Sequence, residues 1–117
     1  MIILRRPRHS QSLCQLAVIL STYALAQRLK GTNVTVNCLH PGLIRTKLLR
    51  AGFGDIPGDT PEKGARTSVY LASSTKVEGL SGQYYEACKV VGFSPITYGK
   101  RVQEELWRIS EKLTGSD

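Results

Sequence analysis

Between Leu13 and Lys30 apolar residues recur at helical spacing, with Leu13, Leu16, Ala17, Leu20 and Ala24 on one face and Val18, Leu25 and Leu29 on a second. A helix apolar on two faces is expected to be covered on two sides. Lys30 and Gly31 supply the terminal cation and the C-cap that end it. The next run, Val34-Thr35-Val36-Asn37-Cys38-Leu39, is dense in β-branched residues and is stopped by His40-Pro41-Gly42, which predicts a short buried strand. Residues 43–58 scatter glycines and Pro57 among isolated apolar positions and read as a loop or short helix beside the strand end. Thr60 as N-cap, Pro61 at the first helical position and Glu62 in the first turn predict a helix to about Ser73 that buries Ala65, Val69 and Ala72. Gly79 to Gly82 then turn the chain into a second strand, Gln83-Tyr84-Tyr85-Glu86. Val102, Leu106, Ile109 and Leu113 define a last amphipathic helix ending near Gly115, with Glu104 spaced to pair with Arg108. Helix, tight link and strand in this order belong to an α/β wind.

Length and composition narrow the class. The chain has 117 residues, 41% hydrophobic and 21% charged, so one packed domain is expected and a disordered chain is not. Polar residues interrupt the uncharged stretch 13–27, which is too short to span a bilayer. The apolar Met1-Ile2-Ile3-Leu4 precedes Arg5, Arg6 and Arg8, the reverse of a secretory signal, so an intracellular and by default cytoplasmic location is expected. Cys14, Cys38 and Cys88 have neither disulfide-framework nor metal-ligand spacing, and are read as small reduced hydrophobes of the core. The net charge of +7 is scattered and reads as a solvated face. Only Arg5 to Arg8 are dense, Pro7 opposes a helical stripe there, and no nucleic-acid recognition motif accompanies the charge. Binding to nucleic acid or an acidic membrane is therefore not expected.

In parallel α/β sheets ligands bind beyond the carboxyl ends of strands. The stretch from Pro41 to Thr46 is thus the first candidate site: Pro41 fixes the turn, Gly42 lets a flat ring approach the backbone, and Thr46 offers a hydroxyl. On spacing alone a plain turn is the commoner explanation of Pro-Gly after a strand. His40 reads as a packing residue at the strand end.

The words of the sequence add to its spacing. Ala26-Gln27-Arg28-Leu29-Lys30-Gly31-Thr32-Asn33-Val34-Thr35-Val36-Asn37-Cys38-Leu39-His40-Pro41-Gly42-Leu43-Ile44-Arg45-Thr46 resembles the C-terminal half of short-chain dehydrogenases/reductases, most closely the retinol dehydrogenase and WW-domain oxidoreductase branch. The resemblance continues through Thr60-Pro61-Glu62-Lys63-Gly64-Ala65, Val77 to Tyr85 and Cys88-Lys89, to Leu106-Trp107 and Leu113-Thr114-Gly115, covering about residues 14–115. It implies an α/β fold, the C-terminal part of a Rossmann-type doubly wound parallel sheet, with residues 1–13 a loosely attached lead-in and 14–117 the family part. It also implies oxidation and reduction of lipophilic alcohols and carbonyls with NADP or NAD. Pro41, Gly42, Ile44 and Thr46 would hold the nicotinamide end, residues 47–58 would cover the substrate, and the helix of residues 15–30 would form a homo-oligomer interface.

Two departures from the family are marked. The family's Tyr-x-x-x-Lys pair, in which the ammonium favours the phenolate that exchanges a proton with substrate, falls on Gln11 and Gln15, and no tyrosine precedes Tyr23. Tyr85 and Lys89 have the same spacing but lie on the second strand and its exit, where residues four apart do not stack as on a helix. No Gly-rich diphosphate turn occurs either. The expectation is a C-terminal piece of a dehydrogenase, from truncation, a joined reading frame or decay. It would have no catalytic residue of its own and an open sheet edge. The alternative is a non-catalytic dimerisation or interaction module derived from that family.

Overall fold

The structure, a computed structural model, describes residues 7–41 and 60–116. Helix α1 (Pro7–Arg28) leads to strand β1 (Cys38–His40), helix α2 (Pro61–Ser73), strand β2 (Tyr84–Glu86), strand β3 (Lys89–Val90) and helix α3 (Lys100–Thr114). Short 3-10 turns at Thr75–Val77 and Pro95–Tyr98 lie before β2 and before α3.

Helix α1 starts at Pro7, where a missing N–H costs nothing because the first helical turn has no internal acceptor for it. It thereby takes in residues that composition assigns to the lead-in. Its buried face is also rotated from the expected one: Ile19, Leu20, Thr22, Tyr23 and Ala24 are buried while Leu13 and Val18 are exposed. The sheet decides this, since Ile19 and Tyr23 pack with Cys38 of β1 and Tyr84 of β2 in one cluster, with Val91 against it.

The sheet has the order β1-β2-β3. β1 runs parallel to β2, with Cys38 opposite Tyr84 and His40 opposite Glu86, and β2 turns back antiparallel into β3. Pairing starts later than the β-branched run suggests, and Val34 is exposed. Before Cys38 the contacts to the 80–83 turn are made largely by side chains: Val36 N–H donates to Ser81 Oγ at 3.0 Å, and the Asn37 amide bridges Leu80 O and Gln83 N–H at 2.9 and 3.1 Å. Among the described residues β1 is paired on one side only.

Ala87 and Cys88 link β2 to β3 with φ of 51° and 60°. Two consecutive left-handed residues are the geometry of a type I′ turn, which favours asparagine and glycine and strains residues with an ordinary side chain. Ala87→Asn is expected to stabilise the chain by about 1 kcal/mol, read as a higher urea midpoint at unchanged slope; a lower midpoint would contradict this turn geometry.

Helix α2 is capped as expected, with Lys63 N–H donating to Thr60 Oγ1 at 3.3 Å and Pro61 in the first turn. Its inner face is not the expected one. Gly64 and Thr67 are buried, whereas Ala65, Val69 and Ala72 face outward. Thr67 is drawn in by the hairpin, because its Oγ1 accepts the Cys88 N–H at 3.2 Å. Helix α3 ends on Gly115 at φ 70°, a left-handed cap that suits glycine. Glu104 does not pair with Arg108 as its spacing suggests. It receives two hydrogen bonds of 2.8 Å from Arg28 at the end of α1. Arg28 also lies 4.3 Å over the Trp107 ring, whose Nε1–H donates to Glu111 at 2.7 Å. These contacts clamp α3 onto α1, and the Arg28 guanidinium holds the Glu104 carboxyl below the usual carboxylate range.

Candidate functional site

Both parallel strands end at a cavity of about 230 Å³. His40 and Pro41 reach it from β1, Glu86, Ala87 and Cys88 from the hairpin, and Lys63, Arg66 and Thr67 from the first half of α2. The cavity exists because β1 and β2 stop in register at His40 and Glu86, and because α2 is held against the hairpin tip through Thr67. It gathers two cations and one carboxylate around a buried hydroxyl. A metal site is not formed, since no group of three or more His, Cys, Asp or Glu side chains suited to a metal occurs among the described residues.

Of the four expected nicotinamide-binding residues, Pro41 lines this cavity and is exposed. Gly42, Ile44 and Thr46 lie outside the described residues, as does the expected substrate-covering segment 47–58. Lys63, Arg66 and Thr67 are the members that pattern reading misses. The only signal for them is their place in the first two turns of a well-capped helix.

Gln11 and Gln15, the positions expected to correspond to the family's acid–base pair, fall on α1. Gln11 lies within the helix one turn before Gln15. The Gln15 amide nitrogen is buried near the Tyr84 phenol, and among the described residues no hydrogen-bond partner is assigned to it. An uncharged amide there cannot perturb a phenol as an ammonium does. Tyr85 and Lys89 cannot substitute, because Tyr85 pairs with Val90 and Lys89 with Glu86, which puts their side chains on opposite faces of the hairpin. Tyr85 is fully buried and burial pushes its phenol up, away from ionisation near neutrality.

The three cysteines differ from one another. Cys38 is buried, and burial raises its thiol; Cys88 is half-buried, with its sulfur 3.8 Å from Thr67 Oγ1. Cys14 is exposed on α1, contrary to the expectation of a core residue, because the face turned to the sheet is set by Ile19 and Tyr23.

A larger groove, about 760 Å³, lies at the opposite ends of the strands, between the end of α1, the 31–35 link, the 78–83 turn and Tyr98. It is not where a doubly wound sheet receives ligand. Its charges, Lys30 and Lys100 against Glu78, favour no single ligand class. The cavity at the strand ends is smaller than the ~300–1,000 Å³ of ordinary small-molecule sites. The part of this cavity lined by described residues has room for a single ring or a small anion.

The chain is 43% identical to retinol dehydrogenase 14 of Homo sapiens over 92% of its own length and 37% of the relative. It is 38% identical to retinol dehydrogenase 12 of Bos taurus over 86% of its length and 34% of the relative. With polyprenol dehydrogenase of Homo sapiens the identity is 31%, over 93% of the chain and 37% of the relative. The chain thus spans roughly a third of the length of the curated relatives it matches. The 123 aligned positions shared with retinol dehydrogenase 14 exceed the 117 residues of the chain, so the relative carries residues inside the matched span that have no counterpart here. No family profile and no solved structure matches significantly. Among the described residues no helix is long and apolar enough to cross a membrane.

Proposed function

We propose, of a chain that belongs by sequence to the short-chain dehydrogenases/reductases, that this 117-residue polypeptide retains one wall of a nicotinamide pocket and does not catalyse hydride transfer by itself. Its family reaction is the NADP- or NAD-linked interconversion of a lipophilic alcohol and its carbonyl, as the names of the retinol and polyprenol dehydrogenases suggest. Pro41, Gly42, Ile44 and Thr46 are the residues that would meet the nicotinamide end. The cofactor, when bound, supplies the hydride; the protein must supply a proton at the substrate oxygen.

The observation that carries the reading is Gln15. On α1 an amide stands where the family places the ammonium that makes a tyrosine acidic, and Gln11 stands in place of that tyrosine. Neither glutamine can hold or deliver a proton at neutral pH.

The test uses the purified 117-residue chain. Titration with NADPH, followed by nicotinamide fluorescence, is expected to give no saturable signal up to millimolar concentrations, and incubation with NADPH and a retinoid aldehyde is expected to give no alcohol. Saturable micromolar binding would overturn the claim of an incomplete cofactor site, and turnover would overturn the claim about Gln11 and Gln15.

A further inference from the structure

Helix α3 carries a second surface that neither the clamp to α1 nor the candidate site uses. Buried Gln103 and half-buried Trp107 and Ser110 share the face turned toward the rest of the chain. At 100° per residue, Val102, Leu106, Ile109 and Leu113 form a stripe about a quarter turn away from that face. Leu106 is half-buried at the boundary, but Val102 is 37% exposed, Ile109 45% and Leu113 82%. Their spacing of four, three and four residues is that of alternating d and a positions of a heptad, the pattern by which one helix seats another.

The charges beside the stripe say which partner fits. Glu105 and Lys112, both exposed, occupy the two successive positions that flank the seam on the side away from α1. When a second copy of α3 is laid antiparallel with Val102 against Leu113 and Leu106 against Ile109, Glu105 of each copy meets Lys112 of the other. Two reciprocal ion pairs of opposite sign result. The other flank, Gln103 and Ser110, is uncharged and turned toward the chain itself, so no like charges are opposed there. A parallel arrangement would instead set Glu105 against Ser110 and leave the charges uncoupled.

We propose that the Val102–Leu106–Ile109–Leu113 face of α3 is a self-association surface, on which the α3 of a second copy of this chain packs antiparallel with its Glu105 and Lys112 paired reciprocally. Four seam residues per copy make a small interface, below the ~1,200 Å² of stable complexes, so the dimer is weak and reversible. It is independent of any cofactor. It also uses a different helix from the residue 15–30 interface expected from the family, much of whose apolar surface is covered within the chain by the sheet.

Sedimentation velocity of the purified 117-residue chain over a concentration series tests it, with circular dichroism as the control for folding. The wild type is expected to pass from monomer to dimer. Leu113→Lys, a change at the most exposed seam position and near a helix C-terminus that tolerates cations, should abolish the dimer at unchanged helicity. Glu105→Lys and Lys112→Glu should each weaken dimerisation by about tenfold, since two ion pairs become repulsions. The double variant Glu105→Lys/Lys112→Glu should restore it, and an equimolar mixture of the two single variants should form the hetero-pair in preference to either homodimer. A wild type that stays monomeric throughout, a dimer or larger assembly that survives Leu113→Lys, or a double variant no better than the singles would each overturn the proposal.

Discussion

Ile19→Ala lowers the unfolding free energy by about 3 kcal/mol, within the 2–5 kcal/mol range for truncating a buried aliphatic side chain to alanine. Ile19 is 0% exposed and packs with Tyr23, Cys38 and Tyr84, the cluster that joins α1 to both parallel strands. A cavity there removes contacts from three elements at once, and the surrounding aromatic rings cannot collapse to fill it without leaving their own packing. A domain this size has a stability of only ~5–10 kcal/mol, so the variant should lose roughly a third to a half of it. Urea unfolding followed by circular dichroism measures the change. Leu13→Ala, on the exposed side of the same helix, is the control and should move the midpoint little. Equal losses in the two variants would show that α1 is seated on a different face.

Alkaline unfolding provides the second large effect. Burial of the Tyr23 phenol, together with the phenol of Tyr98 stacked beside it at 5.7 Å, pushes its pKa from 10.0 up to about 12. Above pH 10 the unfolded chain releases this proton, while the folded chain holds it until about pH 12. The folded state then binds more protons, so stability is fully present below pH 10 and falls as pH rises through this window. The loss attributable to Tyr23 reaches about 2 kcal/mol, and buried Tyr84, Tyr85 and Cys38, all raised by burial, act in the same direction. Tyr23→Phe should therefore lose less stability than the wild type on passing from pH 9 to pH 11.5. Thermal melts across that range, compared as slopes, decide it. Identical slopes for the two proteins would mean that the Tyr23 hydroxyl is solvated in the folded chain.

The family and the elements could be read before any coordinates, because both rest on local chemistry. Thr60-Pro61-Glu62 starts α2 where a capping hydroxyl, a proline and a carboxylate each satisfy a helix N-terminus, and Gly115 ends α3 where a left-handed residue is needed. The hairpin to β3 was not legible, since its turn residues are Ala87 and Cys88 in place of the usual asparagine and glycine. The inner face of α2 was misread for a related reason. Apolar periodicity picked out Ala65, Val69 and Ala72, but the hairpin needs a hydroxyl to accept the Cys88 N–H and close approach beside it, which Thr67 and Gly64 supply. At the candidate site the Pro41 end was visible as a strand stop. The cations of α2 were invisible, being brought there by a packing contact more than twenty residues along the chain.

By itself the sequence determined where the three helices and the two parallel strands lie, and the kinship with dehydrogenases. Only the tertiary structure decided which faces are inside, that Glu104 belongs to Arg28 and not to Arg108, and that Lys63 and Arg66 stand at the end of β1. The division has a physical cause. Capping, turn and periodicity signals act over a few residues and are written in adjacent side chains. Which stripe of a helix is buried depends on the partner it meets, and that partner comes from elsewhere in the chain.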